Sequence, residues 1–372
     1  MSNNTLSRDS FTYAEGKYKT IHYGDILTKY GTVKNINDND VPFIIDRIKC
    51  NNDILRPGDI VIADTSEDYT VGKSIEIAGS SSIPAYSGLH TIALRPNIKF
   101  AEGFIAYYIN SKVFKKRIYP LIQGIKVYSI SKTNLSNCII KYPSYDIQLK
   151  ITILLKNIDN RINTQKKIIE EIKLYKKYIL NKIFIDNGLI IEGKEKALNN
   201  VLIPGNKEPV NTSLYSKINV HLNLNGISYA TVTRKMSDIR PFYLRHKGEL
   251  IIGKQNYFNG SIAIIPEKYD NTICSNAIMS FIIKDEYDSD FIYYAISNNS
   301  FLKFRSHIAN GTGQKELSEK DFLNFKIRIP VLARQKNIAN SLRFIEEKII
   351  NEEKILKLYQ KQKDYLLNKM FI

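Results

Sequence analysis

Two stretches of the chain place apolar residues three and four positions apart in an otherwise charged background. The first series is Leu155, Ile158, Ile162, Gln165, Ile169, Ile172, Lys176 and Ile179. The second is Leu342, Ile345, Ile349, Glu352, Leu356, Tyr359, Lys363 and Leu366. This spacing predicts two long helices whose heptad seams each contain two polar positions. Pro143 and Pro330 precede them, a position where proline is typical of a helix start.

The second stretch repeats the first at an offset of 187 residues. The match is clearest at the helix ends, where Tyr178-Ile179-Leu180-Asn181-Lys182-Ile183-Phe184 corresponds to Tyr365-Leu366-Leu367-Asn368-Lys369-Met370-Phe371. The same offset pairs residues far upstream, such as Tyr107 with Tyr294. The chain is therefore one unit used twice, and two copies favour a pseudo-twofold arrangement over a solenoid, which needs about three repeats.

Upstream of each helix the pattern changes to short β-branched runs bounded by turn residues, which is typical of strands. These runs are 58–63 and 74–78 in the first copy, and 248–253 and 261–265 in the second. We therefore predict an α+β fold in which two strand-rich domains, 1–142 and 186–329, alternate with two long antiparallel helices, 143–185 and 330–372, that form a coiled coil. Some 35 residues of helix would make a spacer of roughly 50 Å.

The charge balance favours a polyanionic partner. The chain has 54 Lys and Arg against 37 Asp and Glu, which gives a net charge of +17 and is typical of nucleic-acid-binding proteins. A genome rich in lysine and isoleucine codons would produce the same bias. The polar N terminus has no signal core, and no stretch approaches the roughly 18 apolar residues of a membrane span. We therefore expect a cytoplasmic protein.

No catalytic centre stands out. Val71-Gly72-Lys73-Ser74 resembles the end of a phosphate-binding loop, but Glu67 occupies the position of the first glycine and the residues that follow are typical of a strand. Gly311-Thr312-Gly313 fails as a dinucleotide motif because Glu316 replaces the third glycine. The sequence contains no zinc-protease or serine-hydrolase motif. We expect no catalytic residue, metal or cofactor in this chain.

The candidate DNA-contacting residues lie in loops and turns of the strand-rich domains. Glycine permits close backbone approach, and Lys, Arg, Gln and Asn reach phosphates or base edges. The candidates are Lys73, Lys126, Arg234, Lys235, Lys254, Gln255, Asn256, Gln314 and Lys315. Solvated surface residues and glycine helix caps are the alternative explanation, and for Lys73 a solvated turn is the simpler one.

Together these features resemble the specificity subunit of type I restriction-modification systems. The matching segments are Gly58-Asp59-Ile60-Val61, Gly311-Thr312-Gly313-Gln314-Lys315-Glu316-Leu317-Ser318, the pairs Pro143/Gln148 and Pro330/Gln335, and the two helix ends. The resemblance implies a DNA-recognition subunit without chemistry of its own, in which each strand-rich domain recognises one half of a gapped target. It also implies that the helices bind methyltransferase subunits, which bring S-adenosylmethionine, and that endonuclease/translocase subunits join the complex.

The chain departs from the family pattern in two places. Glu is common before the conserved Gln, where this chain has Ile147 and Arg334. The first copy also has Gly124-Ile125-Lys126-Val127 where the second has a glycine-rich Gln-Lys segment. If these loops contact DNA, the two halves should recognise different sequences.

Two other classes of function fit the sequence. One is an enzyme acting alone, such as a DNA methyltransferase or nuclease, which would modify or cut DNA without partners. The other is a basic coiled-coil scaffold, which would show no sequence preference on DNA.

Overall fold

The computed structural model describes residues 1, 5–45, 53–184, 193–230, 240–305 and 316–371. The chain divides into two compact units, the first made of Met1–Lys167 and Glu352–Ile372 and the second of Ile168–Asn351. Each unit therefore contains one strand-rich domain and a part of each long helix. None of the helices in the described part of the chain combines the length and apolar character that crossing a membrane requires.

The first unit contains ten short strands and four short helices within its described residues. The strands are β1 (Phe11–Thr12), β2 (Lys19–Ile21), β3 (Val33–Asn35), β4 (Phe43–Ile44), β5 (Ile60–Ala63), β6 (Thr65–Ser66), β7 (Ser74–Ala78), β8 (Ala85–Ser87), β9 (Thr91–Leu94) and β10 (Tyr128–Ser129). The helices are α1 (Tyr23–Thr28), α2 (Phe104–Asn110), α3 (Lys112–Ile118) and α4 (Lys132–Ser136). Two four-stranded sheets are ordered β3-β7-β5-β9 and β1-β4-β2-β8, and β10 and β6 form a separate two-stranded sheet.

The second unit has ten strands and three short helices within its described residues. The strands are β11 (Lys194–Ala197), β12 (Leu202–Pro204), β13 (Ile218–Val220), β14 (Ile227–Tyr229), β15 (Phe242–Arg245), β16 (Leu250–Gly253), β17 (Ile262–Ile264), β18 (Thr272–Ser275), β19 (Ile278–Ile283) and β20 (Lys326–Ile329). The helices are α6 (Ser289–Ser297), α7 (Asn299–Arg305) and α8 (Glu319–Leu323). The main sheet is ordered β12-β19-β16-β17.

The long helices are α5 (Tyr145–Phe184) and α9 (Leu332–Met370). They confirm the prediction of an α+β repeat with two long helices. At about 1.5 Å per residue, each is roughly 60 Å long. In the first unit the segments run antiparallel, since Gln165 contacts Glu352 while Asp159, earlier in α5, contacts Lys363, later in α9.

The seam positions alternate with exposed residues as a heptad pattern requires. Six of the apolar seam residues are buried, namely Leu155, Ile158, Ile162, Ile169, Leu342 and Ile349, and the other six are half-buried, namely Ile172, Ile179, Ile345, Leu356, Tyr359 and Leu366. The polar seam residues are paired. The Gln165 amide donates to the Glu352 carboxylate and, at 3.1 Å, to the Glu352 carbonyl oxygen.

In each main sheet one inner strand, β5 or β16, is buried on both faces, and we call it the central strand. Burial on both faces explains its uninterrupted apolar sequence. In β5, Ile60 and Ile62 belong to the core that contains the helix residues Leu155 and Leu367, whereas Val61 and Ala63 belong to a separate core. In the second unit, Leu250 and Ile252 of β16 join the core that includes Leu342, and Ile251 faces another cluster. The sheet thus separates a helix-side core from a distal core in each unit.

The last residues of each long helix anchor it to a strand-rich domain. In the first unit the Phe371 ring packs edge-on against Phe104 and Tyr108, with ring centroids 5.7 and 5.5 Å apart. In the second unit Phe184 packs at 5.8 Å from Phe291. These are repeat-equivalent contacts, so the matching Phe residues at the helix ends have a packing role.

Candidate nucleic-acid interface

Each unit clamps a loop to the end of its central strand. In the first unit Asp64 is the residue directly after β5, and its carbonyl accepts a hydrogen bond from the Ile130 N–H at 2.9 Å. In the second the Leu317 N–H donates to the Lys254 carbonyl, directly after β16, also at 2.9 Å. We call the resulting surface the loop edge; it comprises residues 64–70 and 122–130 in the first unit and 254–260 and 316–318 in the second.

A serine follows each clamp and starts a short helix. The Ser131 hydroxyl accepts from the Asn134 N–H, and the Ser318 hydroxyl accepts from the Asp321 N–H, both at 3.0 Å. Side-chain capping of this kind stabilises a helix start by about 1 kcal/mol. The chain leading into α4 and α8 is therefore fixed at the same point in both units.

The first loop edge contains a tight hairpin. Tyr128 and Ser129 of β10 pair with Ser66 and Thr65 of β6, and Gln123 and Ser129 exchange both backbone hydrogen bonds at 2.8 and 2.9 Å. Gly124 has a φ of 111°, and a side chain there would clash with the Val127 carbonyl oxygen. The hairpin thus requires glycine at this position, and its conformation is defined by the fold.

Aromatic and apolar side chains cover the outer surface of this hairpin. The Tyr69 ring stacks on Tyr128 at 4.5 Å and meets the edge of Tyr119 at 6.1 Å. At the turn, Ile125 is 93% exposed and Val127 51% exposed. We call these five residues the aromatic tip.

The turn that carries Tyr69 is held by Asp68. Its carboxylate accepts from the Thr70 N–H and the Ser66 hydroxyl, both at 2.9 Å, and from the Thr70 hydroxyl. These hydrogen bonds, led by the one from the Thr70 hydroxyl, lower the pKa of Asp68, because they stabilise the ionised form. The turn is therefore ordered around a carboxylate that remains charged at neutral pH.

The second loop edge presents polar groups instead. Lys254 is half-buried, while Gln255 and Asn256 are exposed. The following Tyr257 is buried, and its hydroxyl donates to the Ile296 carbonyl at 2.7 Å. Because the residue after them is anchored in the core, Gln255 and Asn256 project from a rigid turn with amides suited to base edges.

The structure places the other candidates in different settings. Lys126 is exposed in the aromatic tip hairpin, between Ile125 and Val127. Arg234, Lys235, Gln314 and Lys315 lie outside the described residues. Sequence reasoning missed Tyr69, Tyr119 and Ile125, although an apolar pair flanking a lysine after a glycine was a usable signal.

The solvated turn expected for Lys73 is wrong. The Lys73 ammonium donates to the Leu27 carbonyl at 2.9 Å, because α1 covers this turn. Burial lowers its pKa, and the charges of Lys363 and Lys166 lower it further. Lys73 is therefore half-buried, and its ammonium is bound by a backbone carbonyl.

A tyrosine, a carboxylate and a lysine join each strand-rich domain to the helices. In the first unit the Tyr107 hydroxyl donates to Asp159 at 2.7 Å, and Lys363 lies 2.5 Å from the same carboxylate. In the second, the equivalent residues Tyr294, Glu346 and Lys176 make the same contacts at 2.8 and 2.6 Å. Burial, followed by the neighbouring carboxylate, raises the pKa of both tyrosines.

A buried glutamine forms a second repeated joint. The Gln148 amide donates to the Pro143 carbonyl at 2.9 Å, and its oxygen accepts from the Ala101 N–H at 3.1 Å. Gln335 makes the equivalent bonds to Pro330 and Asp288, both at 2.9 Å. These bonds explain the repeated spacing between proline and glutamine. Within the described residues, no cluster of three His, Cys, Asp or Glu side chains is arranged to hold a metal ion.

The chain was compared with known protein families and proteins. A family described as the type I restriction modification DNA specificity domain matches residues 6–174 and 190–359. The putative type I restriction enzyme MjaX specificity subunit of Methanocaldococcus jannaschii is 24% identical, covering 97% of this chain and 87% of its own length. The MjaVIII specificity subunit of that organism is also 24% identical, covering 74% of this chain and 71% of its own.

Two solved structures share the fold. The S subunit of a type I restriction-modification system from M. genitalium aligns over 100% of this chain and 93% of its own, with a TM-score of 0.57 and 14% identity. A chain from a structure described as showing complex assembly and conformational transition of the type I R-M system covers 94% of this chain and 93% of its own, at a TM-score of 0.54 and 14% identity. Strand-rich domains and long helices in this order are thus a shared architecture.

Proposed function

Because the chain belongs to the type I restriction modification DNA specificity domain family, we propose that it is the sequence-specific DNA-binding subunit of a type I restriction-modification complex. It recognises a gapped, bipartite target in double-stranded DNA. The domains that do so are residues 1–142 and 186–329, and the helices of 143–185 and 330–372 separate them. The subunit itself performs no chemistry and acts in the cytoplasm.

The observation that carries this proposal is the repetition of the family domain within one chain, each copy with its own loop edge. Both loop edges follow the central strand and are clamped by the same backbone hydrogen bond, from Ile130 to Asp64 and from Leu317 to Lys254. The side chains they present differ in character. Two rigid surfaces of different chemistry suit two half-sites of different sequence, since base contacts specify and phosphate contacts position. The candidates for these contacts are Lys126, Lys254, Gln255 and Asn256, together with Arg234, Lys235, Gln314 and Lys315.

The helices supply the binding surface for the methyltransferase subunits. Each helix carries exposed apolar residues outside the seam at helical spacing. On α5, Tyr178 follows Leu174 by four positions and Tyr175 by three; on α9, Leu358 follows Ile355 by three and Tyr365 follows Leu358 by seven. Apolar rows of this kind are typical of helix-packing interfaces. The methyltransferase subunits would bring S-adenosylmethionine, and the endonuclease/translocase subunits would join the same assembly.

The test is methylome sequencing of cells that express this chain with its methyltransferase subunit. We expect one methylated motif with two specified halves separated by a fixed number of unspecified base pairs, on the order of one DNA turn from centre to centre. Cells expressing the methyltransferase subunit alone are the control and should lack the motif. A contiguous motif, or methylation by the purified chain without partners, would contradict the proposal.

A further inference from the structure

The aromatic tip exposes apolar surface that the fold does not use. Ile125, Val127 and Tyr69 lie outside the apolar cores of the first unit, and Ile125 is almost completely exposed. Tyr69 contacts Tyr119 and Tyr128 through edge-on and stacked rings, and Ile125 and Val127 lie in the turn that leads into β10, which pairs with the strand before Tyr69. Single exposed apolar residues are ordinary, but several exposed ones on two adjoining turns mark a contact surface.

The tip is also rigid before any partner arrives. The hairpin is closed by the Gln123 and Ser129 backbone pair, and its turn requires Gly124. The neighbouring turn is tied by the Asp68 carboxylate. A preformed apolar wedge loses little conformational entropy on binding, so its contacts contribute directly to affinity.

The surroundings of the tip identify the kind of partner. Helix α3, whose end continues into Tyr119, exposes Lys112 and Lys116, and Lys126 lies within the hairpin itself. The chain as a whole carries a charge of +17. Exposed lysines on the helix and the hairpin that carry these rings and Ile125 suit a partner that has both phosphates and flat apolar faces, which is the chemistry of DNA.

We propose that the aromatic tip unstacks a base step in the half-site that the first domain contacts, with Ile125 as the wedge and the exposed ring of Tyr69, which is backed by Tyr128, as the stacking face. This inference rests on the proposed DNA-recognition function and adds that the first half-site is read partly through its deformability. Steps that unstack easily, such as pyrimidine–purine steps, are therefore preferred beneath the tip. The described residues of the second loop edge offer Lys254, Gln255 and Asn256 in its place, so we expect polar contacts from them.

The experiment uses the full chain in complex with its methyltransferase subunit and duplexes that carry the motif found by methylome sequencing. The fluorescent base analogue 2-aminopurine replaces one base at a time at positions of the first half-site other than the methylated base. With the unchanged chain we expect fluorescence to rise at one step on binding. Ile125→Asp should abolish the rise and weaken specific binding on the order of tenfold, and Ile125→Ala should reduce both.

Ile98→Ala is the matched control. Ile98 is 51% exposed. It follows β9, whose last residue pairs with the first residue of β5. Ile98 and the aromatic tip therefore lie at opposite ends of β5. This variant should bind and unstack DNA like the unchanged chain. Thermal unfolding of Ile125→Asp should match that of the unchanged chain, because the residue is exposed.

The outcomes separate the two proposals. Selective binding by the unchanged complex without any rise in fluorescence, or a rise that Ile125→Asp leaves intact, would overturn the wedge while keeping DNA recognition. A complex that shows no preference for any DNA sequence would instead overturn the proposed function.

Discussion

The two units join their strand-rich domains to the long helices through the same contacts. The loops that follow β5 and β16, however, present different side chains. At the helices, the contacts of Tyr107 with Asp159 and Lys363 are matched by those of Tyr294 with Glu346 and Lys176. At the loop edges, the first unit presents aromatic rings, isoleucine and a turn organised by a carboxylate. The second presents a lysine and two amides. The repeated joints hold two different contact surfaces in the same kind of frame.

The interiors show where this difference begins. The main sheets share three strands, β7-β5-β9 and β17-β16-β19, but the fourth strand is β3 beside β7 in one and β12 beside β19 in the other. Opposite Ile60, β7 has the buried Glu76, whereas opposite Leu250, β17 has Ile264. Variation therefore reaches the helix-side face of the sheet, because Glu76 lies opposite Ile60 of that core.

The largest expected effect on stability concerns buried leucines at equivalent positions of the two long helices. Leu155 and Leu342 are repeat equivalents and both are fully buried, so Leu155→Ala and Leu342→Ala should each lower the free energy of unfolding by about 2 to 5 kcal/mol. Urea unfolding followed by circular dichroism measures this. Leu154→Ala, at the adjacent and exposed position, should cost less than about 1 kcal/mol. If only one of these two substitutions lowered the free energy of unfolding, the helix-side cores of the two units would not be equivalent.

A second prediction concerns the difference at Glu76. Burial raises the pKa of Glu76 from its ordinary value of 4.5 to about 7. Between these values the folded protein holds a proton that the unfolded chain releases, so stability falls as the pH rises through this window. Glu76→Gln removes this dependence, so the stability of the variant relative to the unchanged chain should rise by about 3 kcal/mol between pH 4.5 and pH 8. Parallel stability curves for the variant and the unchanged chain, measured by urea unfolding across this range, would contradict it.

The helices and the central strands were predictable from sequence because both depend on local periodicity. The heptad positions from Leu155 onwards and the run Ser74–Ala78 appear in the structure as a helix and a strand with those residues. The contact between Tyr69 and Tyr128 was not predictable, since the two residues are distant in sequence and meet only because β6 pairs with β10. For the same reason the burial of Lys73 depends on α1, which no local pattern near Lys73 reports.

The smallest effect, and the sharpest test of the comparison, is expected at Gln255. Its exposed amide extends from the rigid turn after β16, where it can form paired hydrogen bonds to one base edge. Gln255→Ala should therefore relax one position of one half-site, at a cost of about 1 kcal/mol in discrimination, and leave the other half unchanged. Methylome sequencing of cells expressing the variant provides both readings, with the unaffected half as the internal control. Relaxation in both halves would mean that the loop edges act on DNA together, whereas a uniform loss of methylation at every site would assign Gln255 to a phosphate contact, because such contacts carry no sequence information.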